Sequence, residues 1–178
     1  MNLDSFKLPI GRPHVDRVDR IMKAEKALIG EPENRRANRH SEQVRFDWPL
    51  LVDGQTDYCY VSAVLYPNEP ELRFNLSLIY LEYNIWRLDF DLWGRVKLNP
   101  PLPGHEYSFA AIDGPHCHPW DENRRFAVGG LIPEPLPFRV PLDKDIQTWP
   151  NAFRYFAGAT NIASPVAVPV WPPRDRLL

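Results

Sequence analysis

Between His14 and Ile29 the apolar residues Val15, Val18, Ile21, Met22, Leu28 and Ile29 recur at near-helical spacing. Asp16, Arg17, Asp19, Arg20, Lys23 and Lys26 fill the other positions. This pattern predicts an amphipathic helix. Pro13 suits its start, Gly30 suits a left-handed exit, and Pro32 bars continuation. Residues 31–42 are polar and charged and predict a connector. From Gln43 the period changes to two, which predicts strands at 43–52, 57–66, 71–81 and 84–93. Asp53-Gly54 supplies turn chemistry after the first, and Pro67-Asn68-Glu69-Pro70 separates the second from the third. Short connections between successive strands favour an antiparallel meander.

The last two strands can be set in register. Leu72, Phe74, Leu76, Leu78 and Tyr80 alternate with polar residues, as do Trp86, Leu88, Phe90 and Leu92. Both apolar sets belong on one face, because a one-residue slip exposes a whole set. A three-residue loop, Glu82-Tyr83-Asn84, satisfies this with Leu76 opposite Phe90 and Leu78 opposite Leu88. Asn84 tolerates the left-handed conformation such a loop needs. The other face then gathers Arg73, Asn75, Ser77, Arg87, Asp89 and Asp91. It reads either as a solvent face laced with cross-strand ion pairs or as one wall of a polar cleft.

Composition changes the picture for the second half. Fourteen of the twenty prolines lie from Pro100 onward, and proline excludes long helices there. A short strand at 106–112, another over Arg124–Val128 and a helix around Trp149, Ala152, Phe153, Phe156 and Ala157 are the expected elements. Thr148 caps that helix, Pro150 fits its first turn and Gly158 stops it. The end, from Pro165 to Leu178, reads as an extended arm, either docked on its own domain through Val166, Val168, Val170 and Trp171 or free to take a partner. The predicted fold is α+β. One domain over 1–178 holds an antiparallel β-meander sheet of four to six strands, an N-terminal amphipathic helix and a short C-terminal helix. Residues 1–13 and 165–178 are its arms.

Charge and cysteine narrow the classes. The net charge is −2, and it divides into +3 over residues 1–45 and −5 over residues 46–178. There is no broad basic stripe of the kind a dedicated nucleic-acid binder shows. Arg35, Arg36, Arg39 and His40 form the one basic run, which reads most simply as a solvated loop. Cys59 and Cys117 are the sole cysteines, which excludes a disulfide scaffold and a four-cysteine zinc site. No apolar run reaches the roughly 18–20 residues of a membrane span, and the N-terminus does not read as a secretory signal. A cytoplasmic protein with no membrane partner is expected.

The chemistry is concentrated in Gly114-Pro-His-Cys-His-Pro-Trp-Asp-Glu-Asn-Arg-Arg125. In an extended chain His116 and His118 face one side and Cys117 the other. Two imidazoles on one side can share a divalent metal ion, with Glu122 as third ligand and Asp121, Asp89 or Asp91 as alternatives. The spacing of His116, His118 and Glu122 follows part of a cupin's first motif. Ala110 stands where its leading glycine belongs, and no histidine follows His118. Without a metal, the two imidazoles can act as acid and base on a phosphodiester, with Arg124, Arg125 or Arg87 stabilising developing charge. Alternatively the pair fixes a Pro/Trp-rich loop by hydrogen bonds. An Asp89 carboxylate within about 4–6 Å would raise the imidazole pKa.

Arg87-Leu-Asp89, Gly114-Pro-His116-Cys-His118 and the segment Asn151–Ile162 together resemble a family of small, uncharacterised bacterial proteins. In that family a strand ending in Arg-x-Asp precedes a Gly-x-His-x-His loop and a Phe-rich helix. The resemblance covers residues 45–162 and implies that Arg87, Asp89, His116 and His118 act as one group. It implies no reaction.

Two functions fit these residues. The first is an RNA-acting hydrolase, the effector of a toxin or defence pair. Its catalytic residues would be His116, His118, Arg87, Asp89 and Arg124, with no cofactor or one divalent metal ion. The second is a non-enzymatic module that captures a protein partner through exposed aromatics and the C-terminal arm.

Overall fold

A computed structural model describes residues 11–36, 43–66, 73–92 and 94–163. The expectations for residues 1–10, Arg39, His40, the Pro67–Pro70 turn and the arm at 165–178 lie outside the described residues. The chain is α+β and its sheet neighbours are all antiparallel. Helix α1 spans Val15–Lys23. It is followed by β1 (Lys26–Leu28), β2 (Glu33–Arg36), β3 (Val44–Val52), β4 (Gln55–Leu65), β5 (Phe74–Tyr80) and β6 (Tyr83–Phe90). Then come β7 (Lys97–Leu98), β8 (Ala111–Ile112), β9 (His116–His118), α2 (Trp120–Asn123), β10 (Val140–Pro141) and α3 (Trp149–Ala159). Seven strands lie in the order β1-β3-β4-β5-β6-β9-β10, and β2 also pairs with β3. The sheet is therefore wider than the four to six strands expected. The extra width comes from segments too short to show a period: β1, β2, β9 and β10.

The meander from β3 to β6 follows the alternation in the sequence. The helix is shorter than its pattern suggested. It stops at Lys23, and Lys26–Leu28 pairs with Leu50–Val52 instead. Gly30, at φ 64°, turns the chain after that strand rather than after the helix. Part of the expected connector is β2. The β5–β6 loop is also corrected. It has two residues, Leu81 and Glu82, both at positive φ, as a type I′ turn requires. The extra residue that parity demands sits in β6, where the register shifts and Ile85 is left over. Leu76 therefore faces Leu88, and Leu78 faces Trp86. The two faces are as expected although the partners differ. Ala111–Ile112 pairs with Lys97–Leu98 in a separate two-stranded sheet, and Arg124–Phe126 is a 3-10 turn rather than a strand.

One face of the large sheet is packed by Val18 and Ile21 of α1 and by Trp149, Ala152, Phe153 and Phe156 of α3. Trp149 meets Phe74 edge-on at 5.0 Å, and Phe74 stacks on Phe90 at 4.9 Å. Thr148 caps α3, as its side chain accepts from the Asn151 N–H. The helix passes through Gly158 and ends where Asn161 turns left-handed at φ 53°.

Lys26 joins the two helices. Its side chain is fully buried, and Nζ donates to the carbonyls of Ala24 and Thr160, each at 2.8 Å. Those carbonyls end α1 and α3, where a cation is favoured. Burial pushes the amine down to about 8, against smaller upward pulls from Cys59 and Asp53. The unfolded chain holds this proton up to about 10.5. Between those values the unfolded state carries more protons, so this group's contribution to stability rises with pH. Lys26→Met lacks that contribution. The stability gap between wild type and Lys26→Met is expected to widen by roughly 2–3 kcal/mol from pH 8 to 10.5. Urea unfolding of both chains at several pH values checks this, and a constant or narrowing gap contradicts it.

Candidate functional site

The His-x-His segment is a strand of the sheet, not a loop. β9 pairs with β6 so that His116 stands opposite Asp89, Cys117 opposite Leu88 and His118 opposite Arg87. Alternation sends Cys117 into the core and both imidazoles to the polar face. The same row continues inward, with Asn75 opposite Asp89 and Ser77 opposite Arg87. The hydrophilic face of the hairpin and the histidine pair thus form one wall. The face carries the expected cross-strand ion pair in Arg73–Asp91 at 3.1 Å, and a second pair, Arg87–Asp89 at 2.6 Å, lies within β6.

Asp89 is the centre of the site. Its Oδ2 lies 3.5 Å from Nε2 of His116 and 3.3 Å from Nε2 of His118. Its Oδ1 accepts from Arg87 Nε at 2.7 Å and from the Asn75 amide. The other ring nitrogens are tied to main chain. Nδ1 of His116 lies 2.8 Å from the Gly114 carbonyl, and Nδ1 of His118 lies 2.9 Å from that of Leu136. A carbonyl only accepts, so each Nδ1 carries the proton. In a neutral ring Nε2 is then a lone pair aimed at the carboxylate. Nε2 of His116 is buried and has no hydrogen-bond partner among the described residues.

The electrostatics differ from expectation in one respect. Burial opposes ionisation of Asp89, but the bond with His118 and the Arg87 charge outweigh it and hold the carboxyl well below the usual range. The imidazoles were expected to be raised by Asp89. Burial instead outweighs that pull and lowers both. All three residues are at least nine-tenths buried, and desolvation penalises an imidazolium more than one shared carboxylate favours it.

Not every expected residue joins the group. Arg124 lies with Asp19, its Nε 2.8 Å from both carboxylate oxygens, beside the Trp120 indole that donates to the same group. Glu122 is bound to His105 at 3.3 Å and faces Arg125. The third candidate ligand is therefore Asp89 in place of Glu122. The Asp89, His116 and His118 group can hold a metal ion, with one ligand atom from each and all three within 4.8 Å of one another.

Three contributors escaped the sequence reading. Continuing the β9–β10 register, Val140 opposite Cys117 and Pro141 opposite His116, sets Arg139 opposite His118. The Arg139 charge acts on Asp89 and on both imidazoles. Asn99 bonds the Arg139 backbone at both N–H and carbonyl, and Asn123 does the same for Phe138. The alternation of Arg139 with Val140 was the available signal for the first. Neither asparagine sits in a pattern.

Comparison with known protein families, curated proteins and solved structures finds no match. No helix among the described residues is long and apolar enough to cross a membrane.

Proposed function

We propose that the chain is a hydrolase of phosphodiesters, with RNA as the substrate to test, and that it works through one divalent metal ion held by Asp89, His116 and His118. The observation that carries this reading is the convergence of both Nε2 atoms and Oδ2 of Asp89 in one buried cluster. A metal-free reaction between two imidazoles is less well supported. Both reactive nitrogens face Asp89, and burial lowers both imidazoles, which works against the protonated acid such a reaction needs. When bound, such an ion supplies an activated water or polarises a phosphoryl oxygen. The chain's own part is to hold the two imidazoles by their Nδ1 protons. Arg87 is about two-fifths exposed at the rim, and its guanidinium would be the group to meet a substrate phosphate. The rival reading, a protein-binding module, leaned on exposed aromatics and on the arm at 165–178; Tyr58, Phe109 and Tyr155 are exposed, and nothing of the arm is described.

Purified chain without a histidine tag is expected to cleave RNA, and a chelator should stop it. His118→Ala and Asp89→Asn should each lower the rate at least about a hundredfold, since losing a ligand costs no less than the roughly 10–100-fold of losing outer support, with the circular dichroism unchanged. RNA left intact by wild type across several divalent metals and pH values would refute the nuclease reading.

A further inference from the structure

The geometry points to a joint site on the polar face: a borderline transition-metal ion of the Zn2+ class on Asp89, His116 and His118, with an oxyanion on its open position held by Arg139. This rests on the reading that the trio holds a divalent ion, and it goes further by naming the ion class and the ligand class.

The ion class follows from the donor set. Two imidazole nitrogens and one carboxylate oxygen suit zinc, iron, cobalt or nickel, whereas magnesium and calcium prefer all-oxygen ligand sets. Protein metal sites commonly fix each histidine by a bond from its other nitrogen to a carbonyl or carboxylate. Both rings here carry that bond, through Gly114 and Leu136. It turns both Nε2 atoms toward Oδ2 of Asp89, at 3.5 and 3.3 Å, and leaves Nε2 of His116 buried with no hydrogen-bond partner among the described residues. A cation among the three atoms would give that nitrogen a partner. Three protein ligands leave a fourth position open, as catalytic zinc sites do.

The anion follows from charge. With a dication in place, the ion and the half-buried Arg87 and Arg139 set positive charge in excess around the buried Asp89 carboxylate, even with Glu134 acting on Arg87 from the rim. Buried charge without a counter-charge is costly. Arg87 already spends two nitrogens on Asp89. Arg139 does not: Nη1 rests on the Pro137 carbonyl, and its buried Nε has no partner among the described residues. Its backbone is clamped from both sides by Asn99, so the guanidinium starts from a fixed point beside His118. An arginine with unused donors next to a cation is suited to a phosphate oxygen.

Titration of the chelator-stripped full chain tests this. Calorimetry should show one Zn2+ per chain, with Mg2+ at least about a hundredfold weaker. The chain loaded with Co2+ should change its visible spectrum on addition of inorganic phosphate. Arg139→Gln should weaken that response at least about tenfold while Zn2+ affinity moves less than threefold, and Arg139→Lys should recover part of it. His118→Gln, checked for folding by circular dichroism, should lose Zn2+ binding. No Zn2+ uptake by folded wild type, or equal uptake by His118→Gln, overturns the metal site. A phosphate response absent in wild type, or unchanged in Arg139→Gln, overturns the oxyanion position. Zn2+ and phosphate binding without RNA cleavage would leave this inference standing and remove the nuclease reading.

Discussion

Replacing Asn123 by alanine is expected to lower the unfolding free energy by about 4 kcal/mol and to loosen the histidine pair at the same time. Asn123 is fully buried. Its amide donates to the carbonyls of Pro119 and Phe138 at 2.9 and 3.0 Å, and its own oxygen accepts from the Phe138 N–H at 2.8 Å. Alanine strands the N–H and the carbonyl of Phe138, each costing about 1–3 kcal/mol before relaxation, while the Pro119 carbonyl keeps the backbone N–H of residue 123. The segment from Pro133 to Pro141 has prolines at 133, 135, 137 and 141, which have no N–H to give to a neighbouring strand. Side-chain amides do the work that a ladder would otherwise do. Leu136, two residues before Phe138, carries the carbonyl that fixes His118. Asn123→Ala should therefore drop the melting temperature by roughly 8–16 °C and weaken Zn2+ binding by about tenfold, the lower end for loss of outer support. Asn123→Asp should rescue little. It keeps an acceptor for Phe138 but sets a charged oxygen against two carbonyls. A melting point within two or three degrees of wild type, a change worth about 1 kcal/mol, contradicts the argument.

The meander was legible because its strands are long enough to show a period. Phe74, Leu76 and Leu78 against Trp86, Leu88 and Phe90 fixed the buried face, and with it the polar face that carries Arg87 and Asp89. The turn residue was misplaced because parity can be satisfied by a bulge as well as by a loop, and Ile85 provides the bulge. The helical pattern ran on through Lys26 because a lysine reads as solvent-facing. Two helix ends and their free carbonyls make a buried place for it, and only tertiary structure brings them together.

The candidate site was half legible for a similar reason. His116 and His118 were readable as a pair from their spacing, and Asp89 from the alternation in β6. Their direct opposition was not, because β9 has three residues and no period of its own. Glu122 and Arg124 looked nearer in sequence than Asp89, yet α2 and the 3-10 turn after it carry them away to His105 and Asp19. Proximity along the chain misled, since strand pairing sets Asp89 directly opposite His116, far along the chain, while Glu122, four residues after His118, turns to His105.

Phe153→Ala should cost about as much stability as Asn123→Ala, about 3–5 kcal/mol, and yet leave the site intact. Phe153 is 1% exposed. Its ring meets Trp48 edge-on at 6.3 Å, Trp149 at 5.7 Å and Phe156 at 6.3 Å. No neighbour can fill the space it leaves without pulling α3 off the sheet, so the cost includes a cavity as well as lost transfer energy. Phe153→Leu should cost about 1–1.5 kcal/mol, since most of the volume stays. All these contacts lie on the face that carries Leu88 and Phe90, while Arg87 and Asp89 point the other way. Below the unfolding transition, Zn2+ affinity and RNA cleavage per folded molecule should stay within about twofold of wild type, as expected for groups on opposite faces with no shared partner. Urea unfolding gives the stability loss, and calorimetry at low temperature gives the affinity. A tenfold loss of Zn2+ affinity in Phe153→Ala would mean that the aromatic core sets the spacing of β6 and β9. The two faces of the sheet would then have to be treated as one mechanical unit.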